Sequence, residues 1–199
     1  MPPQIDYAET HNNRGVSLIN LKKFNEAISC FNKAIVLKPD FFEAYNNLGL
    51  TLKRAGRLDE AVLTFEKILT INPNSSRVHF NHGVTLKGVG KPYGAIASFQ
   101  KAIAINPYFV NAHYNLANTL KNLGMLNKAI TSYCKVIAMK PDFIEAYNNL
   151  GLTLLDLGRL DDAISNFHKA LVIKPSFTSA HSNLIFVQNY QPEITLNYL

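Results

Sequence analysis

Apolar and small residues recur along the chain at helical spacing, in short blocks that each end in a break. Tyr45, Leu48, Gly49 and Leu52 share one helical face, and Ala55-Gly56-Arg57 interrupts them. A second block places Ala61, Phe65, Ile68 and Leu69 on one face. Asn72-Pro73 closes it, because the residue before a proline is pushed out of helical geometry. The pattern predicts two amphipathic helices joined by a tight turn, and the same pair recurs along the chain. Proline follows a hydrophobic-x pair at Pro39, Pro73, Pro107, Pro141 and Pro175, every interval being 34 residues. The same step carries Ala27, Ala61, Ala95, Ala129 and Ala163, and the aromatics Phe31, Phe65, Phe99, Tyr133 and Phe167. It also carries Gly15, Gly49, Gly83, Ala117 and Gly151, and Leu18, Leu52, Leu86, Leu120 and Leu154. Neither helix of a pair can bury its apolar stripe alone, so stability is expected from stacking pair on pair.

With Ala8 as position 1, the unit has an aromatic or His at 4, a small residue at 8 and Leu at 11. It continues with Ala at 20, an aromatic at 24 and Pro at 32. In these positions the chain resembles the tetratricopeptide repeat (TPR) family. The resemblance implies an all-α fold, a right-handed superhelical solenoid of antiparallel helix pairs. The expected organisation is a lead-in at 1–7, repeats at 8–41, 42–75, 76–109, 110–143 and 144–177, and a partial sixth repeat or capping helix at 178–199. The small residue at 8 is expected to let helix A approach helix B, and the aromatic at 24 to fill the space between neighbouring repeats. Repeat 3 departs most, with Gly88, Gly90, Pro92 and Gly94 around its inter-helix turn, so the weakest local stability is expected there. Pro92 falls near the start of helix B, where a missing N–H costs little.

Helix A carries two stripes. At about 100° per residue, positions 4, 8 and 11 cluster into the buried one, and positions 2, 6, 9 and 13 lie roughly opposite, facing the groove. Position 6 reads Asn13, Asn47, Asn81, Asn115, Asn149 and Asn183. Asparagine is a poor helix-interior residue, because its amide competes with the backbone, so helix propensity does not explain this column. An amide offers an acceptor and two donors, matching the backbone of an extended peptide. The other reading is that each amide bonds within its own hairpin. Lys53, Lys87 and Lys121 share position 12 and are placed to steer acidic groups of a ligand, or to form a solvated helix flank. Position 2, with Glu9, Glu43 and Glu145 beside Arg77 and Asn111, makes the rim mixed in sign.

The six asparagines, with Tyr45-Asn46-Asn47-Leu48-Gly49 and Tyr147-Asn148-Asn149-Leu150-Gly151, resemble the TPR arrays of O-linked N-acetylglucosamine transferases of the SPINDLY-like type. That resemblance implies a ladder that holds substrate peptides. The carboxylate clamp of chaperone-binding TPRs needs lysine at position 5. Here that position is Asn12, Asn46, Phe80, Tyr114, Asn148 and Ser182, so no such clamp is expected.

Composition adds limits. Hydrophobic residues make up 47% and charged residues 17%, a globular balance. The +6 charge contains no long run of one sign, and the basic residues spread around the helices, which argues against a nucleic-acid face. No apolar run approaches the ~18 residues of a membrane span, and Met1-Pro2-Pro3-Gln4 has no signal-peptide character. A cytoplasmic setting follows as an expectation. Cys30 and Cys134 read as small buried hydrophobes. His79, His82 and His113 have no Cys or carboxylate in the same turn to complete a metal site. His11, His79, His113 and His181 share position 4 with Tyr45 and Tyr147, and read as packing residues with a polar tip. Gly88-Val89-Gly90-Lys91 lacks the spacing, the hydroxyl residue and the preceding strand of a phosphate loop. Asn74-Ser75-Ser76 reads as an inter-repeat loop with helix-capping serines. No catalytic residue, metal or cofactor is expected.

At the C-terminal end, position 8 becomes Ile185 and position 11 Gln188. Ala180 to Phe186, with Asn189-Tyr190-Gln191-Pro192, resembles the junction at which bacterial relatives of those transferases enter their catalytic region. Phe186, Val187, Ile194, Leu196 and Leu199 suggest an apolar surface to be covered by a further domain, a partner or a second copy. The function expected is capture of an extended protein segment on the concave face. The alternative is the substrate-recognition region of an O-linked glycosyltransferase, inactive by itself.

Overall fold

A computed structural model describes residues 4–189, which form eleven α-helices and no strand. The chain divides into two compact units at Pro107. The first holds α1 (Gln4–Asn20), α2 (Phe24–Leu37), α3 (Phe42–Arg54), α4 (Leu58–Ile71), α5 (Ser76–Gly88) and α6 (Pro92–Ile105). The second holds α7 (Val110–Asn122), α8 (Leu126–Met139), α9 (Ile144–Leu155), α10 (Leu160–Ile173) and α11 (Thr178–Asn189). Within each unit every helix packs on the next, and alternate helices α1, α3 and α5, or α7, α9 and α11, also touch. The odd-numbered helices are the A helices and the even-numbered ones the B helices of the repeats. Helix α1 begins at Gln4, inside the stretch expected as a lead-in.

The A helices α1, α3, α5, α7 and α9 end in the same turn. The N–H of Gly56 donates to the Lys53 carbonyl (3.2 Å) and that of Arg57 to the Leu52 carbonyl (2.9 Å), a left-handed helix stop that satisfies the last carbonyls. Gly56, Gly90, Gly124 and Gly158 have φ of 77°, 74°, 71° and 73°. Repeat 1 makes the same turn with Lys22 at φ 59°. Each B helix ends before its proline with an extended residue (Lys38, Asn72, Asn106, Lys140, Lys174) whose N–H still donates to the carbonyl four residues back. Ser75 caps α5 by accepting from Val78 N, as its place in the loop suggested.

The core of each hairpin is the aromatic at position 24 against the small residue at position 8. Phe31, Phe65, Phe99, Tyr133 and Phe167 are fully buried. A Cβ added to Gly15, Gly49, Gly83 or Gly151 would lie only 2.5, 2.9, 2.7 or 2.6 Å from the ring of its own repeat. The ring thus seats against the small residue of its own hairpin, and in repeat 4 Tyr133 also reaches Asn149 and Thr153 of the next repeat. A further aromatic contact lies within repeat 4, Tyr114 against Phe143 with centroids 4.8 Å apart.

The glycines around the turn of repeat 3 are not equivalent. Gly90 is the ordinary left-handed turn residue, while Gly88 and Gly94, though exposed, each have a leucine close on one side, since an added Cβ would meet Leu58 Cδ1 at 3.2 Å and Leu86 Cδ1 at 3.3 Å. Pro92 is the first residue of α6. Cys30 is buried, but Cys134 is exposed, which corrects its reading as a buried hydrophobe. It stands at position 25, where the other repeats carry Asn32, Glu66, Gln100 and His168, all exposed. Val187 is fully buried and so does not belong to an open terminal surface, whereas Ile185 and Phe186 are exposed. Ile194, Leu196 and Leu199, and the Tyr190-Gln191-Pro192 part of the junction, lie outside the described residues. Among the described residues, no helix is long and apolar enough to cross a membrane.

Candidate functional site

The face of helix A opposite the core is graded from rim to floor. Position 2 (Glu9, Glu43, Arg77, Asn111, Glu145) and position 13 (Asn20, Arg54, Gly88, Asn122, Asp156) are exposed at the two ends of the helices. Positions 6 and 9 lie between them and are mostly half-buried. The asparagine column therefore runs along the middle of this face in both units, with Asn13 exposed and Asn81 the most enclosed at 8% exposure.

The amides of this column do not behave alike. Asn47 Nδ2 donates to Oδ1 of Asn12 (3.0 Å), which is buried at position 5 of the preceding repeat. Asn183 Nδ2 donates to Asn148 Oδ1 (2.9 Å), and Asn149 Nδ2 to the Tyr114 hydroxyl (3.0 Å) and to Asn118 Oδ1 (3.0 Å). These four bonds tie three position-6 amides to the repeat before each, on side chains at positions 5 and 9. The sequence weighed a bond within the hairpin. The bonds formed run instead between hairpins, because position 5 of one A helix faces position 6 of the next. Asn115 donates to its own helix, at Asn111 O (2.9 Å). Asn13 and Asn81 make no side-chain hydrogen bond to a described residue.

Beneath every rung except the last lies a hydroxyl that the sequence reading passed over. Ser17, Thr51, Thr85, Thr119 and Thr153, all at position 10, donate to the backbone carbonyls of Asn13, Asn47, Asn81, Asn115 and Asn149, at 2.6–3.0 Å. The four threonines are buried. Their 34-residue recurrence was visible in the sequence. Its meaning lay in a side chain bonding back to its own helix, which periodicity of polarity does not report.

In the second unit the column joins a polar cluster. Tyr133 replaces phenylalanine at position 24, and its hydroxyl donates to Asn118 Oδ1 at 2.6 Å. Burial pushes the Tyr133 hydroxyl far above its ordinary range, and raises Tyr114 as well. Both stay neutral hydrogen-bonding groups.

The three lysines of position 12 also diverge. Lys121 Nζ lies 3.7 Å from Asp156 Oδ2, Lys87 is exposed, and Lys53 is half-buried. Burial, with Arg54 adding to it, holds the Lys53 ammonium below its usual value. In the first unit a cleft of about 230 Å³ opens on this face. Val16, Ile19 and Asn20 of α1 and Asn47, Leu50, Thr51 and Arg54 of α3 line it. Of these only Asn47 had been singled out from the sequence. The apolar wall residues Val16, Ile19 and Leu50 stand at positions 9 and 12, where the residue types of repeats 1 and 2 are not carried through the other repeats.

Two position-4 histidines bond a backbone carbonyl of the preceding loop: His79, buried, holds Nε2 2.9 Å from Pro73 O, and His181, exposed, holds Nε2 2.8 Å from Pro175 O. His82 is different. It stands at position 7, where Leu48, Leu116, Leu150 and Leu184 are buried. Its Nδ1 meets Ser98 Oγ at 3.2 Å, while the buried Nε2 has no hydrogen-bond partner and lies 3.8 Å from Glu66 Oε1.

Family models described as tetratricopeptide repeat match residues 8–41, 42–75, 144–177, 76–109 and 98–131, and one described as TPR repeat matches 120–158. No protein of curated function matches the sequence. Among solved structures, the chain is similar to a crystal structure of MamA at 28% identity and a TM-score of 0.82, over 85% of this chain and 93% of that one. It is also similar in fold to MamA from Desulfovibrio magneticus RS-1, at 21% identity and a TM-score of 0.81, over 86% and 97% of the two chains. A third similar fold is YrrB, described as a TPR protein with an unusual peptide-binding site, at 24% identity and a TM-score of 0.77, over 87% and 89%. With hairpins of one design in both units and family models running unbroken from residue 8 to 177, the chain belongs to the tetratricopeptide repeat family.

Proposed function

We propose that this protein binds an extended segment of a partner protein along the helix A face, with the position-6 asparagines contacting the segment's backbone. The observation that carries this reading is the cleft of the first unit. There a rung of the column, Asn47, sits among the apolar residues Val16, Ile19 and Leu50, beside a cation, Arg54. Apolar side-chain seats beside backbone-reading amides are what recognition of an extended chain requires. The peptide-binding site named for YrrB is in keeping with it. Lys53 and Lys87 flank the column as steering charges, and Lys121 does so with its ammonium near Asp156.

The structure directs the choice of test. Asn47, Asn149 and Asn183 brace the repeats, so replacing them confounds binding with stability. Asn81 and Asn115 hold no bond to a neighbouring repeat's side chain. The double variant Asn81→Ala/Asn115→Ala is expected to lose peptide capture with helicity and melting near wild type. Capture unchanged in this variant would sink the ladder.

The second reading, the recognition region of an O-linked glycosyltransferase, is supported by the Tyr45–Gly49 and Tyr147–Gly151 segments and the asparagine column. It expects excess of this chain to inhibit glycosylation of peptide substrates by an intact transferase of that type. Absence of inhibition at saturating concentration would remove it.

A further inference from the structure

We infer that the cleft between α1 and α3 is a specificity pocket for an aliphatic side chain of the bound segment, with Arg54 receiving an aspartate or glutamate next to it in sequence. This rests on the groove reading above and adds to it a rule for the partner's sequence. At about 230 Å³ the cleft falls below the ~300–1,000 Å³ of small-molecule sites, and suits one side chain better than a cofactor. Its walls are Val16, Ile19 and Leu50, and Val16 is 38% exposed, so the apolar surface is reachable. Two polar groups of the floor are already committed. Thr51 Oγ1 donates to Asn47 O (2.6 Å) and Asn47 Nδ2 to Asn12. The seat between Val16, Ile19 and Leu50 therefore suits an aliphatic side chain.

The charge at the mouth points to the neighbouring residue. Along the same edge of the first unit, Lys23 pairs with Glu26 and Arg57 with Glu60. Lys53 and Arg54 pair with no described residue. Their mutual repulsion adds to burial in holding the Lys53 ammonium down. A carboxylate brought to Arg54 would relieve two like charges at once. Glu9 and Glu43 stand at position 2, eleven residues earlier in each helix, or ~16 Å along the axis, so they repel an acidic residue from the far rim and not from this one. The occupant is thus an internal aliphatic–acidic pair of an extended polypeptide.

The test pans a random peptide display library on the full chain and on Arg54→Glu. Wild type is expected to enrich Val, Leu or Ile followed within two positions by Asp or Glu. In fluorescence anisotropy, a selected peptide should weaken about tenfold when its aliphatic residue becomes Ser, or when Val16→Trp fills the cleft. Arg54→Glu should cost about fivefold and turn the preference from Glu to Lys in the peptide. Val16 and Arg54 are exposed, and Val16→Ser gives a second, smaller change should the tryptophan disturb folding. Peptides that bind wild type, fail on Asn81→Ala/Asn115→Ala, show no aliphatic–acidic preference and ignore Arg54→Glu would overturn the pocket and leave the groove standing. If no selected peptide is sensitive to Asn81→Ala/Asn115→Ala, the groove reading fails and the pocket with it.

Discussion

The polar cluster of repeat 4 makes a prediction about coupling that the other repeats calibrate. Tyr133→Phe deletes the hydroxyl that donates to Asn118 Oδ1 at 2.6 Å. Asn118 keeps Asn149 Nδ2 as a donor at 3.0 Å, so nothing is orphaned and the expected cost is about 1 kcal/mol. Asn118→Leu is worse, because it takes the acceptor from a fully buried tyrosine and one of the two acceptors of Asn149 Nδ2. A stranded buried hydroxyl costs about 1–3 kcal/mol. The double variant Tyr133→Phe/Asn118→Leu installs the pairs that repeats 2 and 5 already use, Phe65 with Leu50 and Phe167 with Leu152. Asn149 then still has the Tyr114 hydroxyl. The double variant should therefore unfold near wild type, with a coupling of at least about 1 kcal/mol between the two sites. Urea unfolding followed by far-ultraviolet circular dichroism measures all four corners of the cycle. Costs that simply add would refute the coupling and show that the cluster is a set of independent contacts.

Lys22 alone makes the helix A stop without glycine, at φ 59°. Lys22→Gly is expected to stabilise by about 0.5–1 kcal/mol and Gly56→Lys to cost a similar amount, read as opposite shifts in thermal midpoint. Burial depresses the His82 imidazole below its usual value near 6.5, more than Glu66 raises it, with His79 and Lys101 adding to the depression. The unfolded chain then binds the proton first. Stability from this residue is complete above about 6.5 and declines as pH falls through the lower folded value. His82→Leu, which restores the leucine of the other repeats, should flatten that decline and add about 1–2 kcal/mol, because the unpartnered Nε2 goes with it. An unchanged stability–pH profile would rule this out. Gly151→Leu would drive a side chain into the Phe167 ring, which a single Cβ already meets at 2.6 Å. A loss of about 1–3 kcal/mol is expected in the same unfolding assay.

The fold was legible because each part of the hairpin is written in residues of unmistakable type. Glycine stands at the left-handed turn, proline after helix B, and a small residue under an aromatic ring. The site was legible only as a column. The partners of the bonded rungs stand at positions 5 and 9, which carry no period. Position 5 changes from Asn12 and Asn46 to Phe80, Tyr114 and Asn148, and Asn46, unlike Asn12 and Asn148, takes no bond from the rung that follows. The same holds for the cleft, whose walls are particular to repeats 1 and 2. At position 24 the burial was legible and the close seat of the ring on position 8 was not, since an apolar stripe says how much a face is buried and not what covers it.

Asn47 and Asn183 direct their amide nitrogens to the preceding repeat, and no hydrogen bond to a described residue engages their oxygens. In the proposed groove such rungs would accept from the N–H groups of a bound strand. Since every residue supplies that group except one, the segment this face would refuse is set by where proline falls in it.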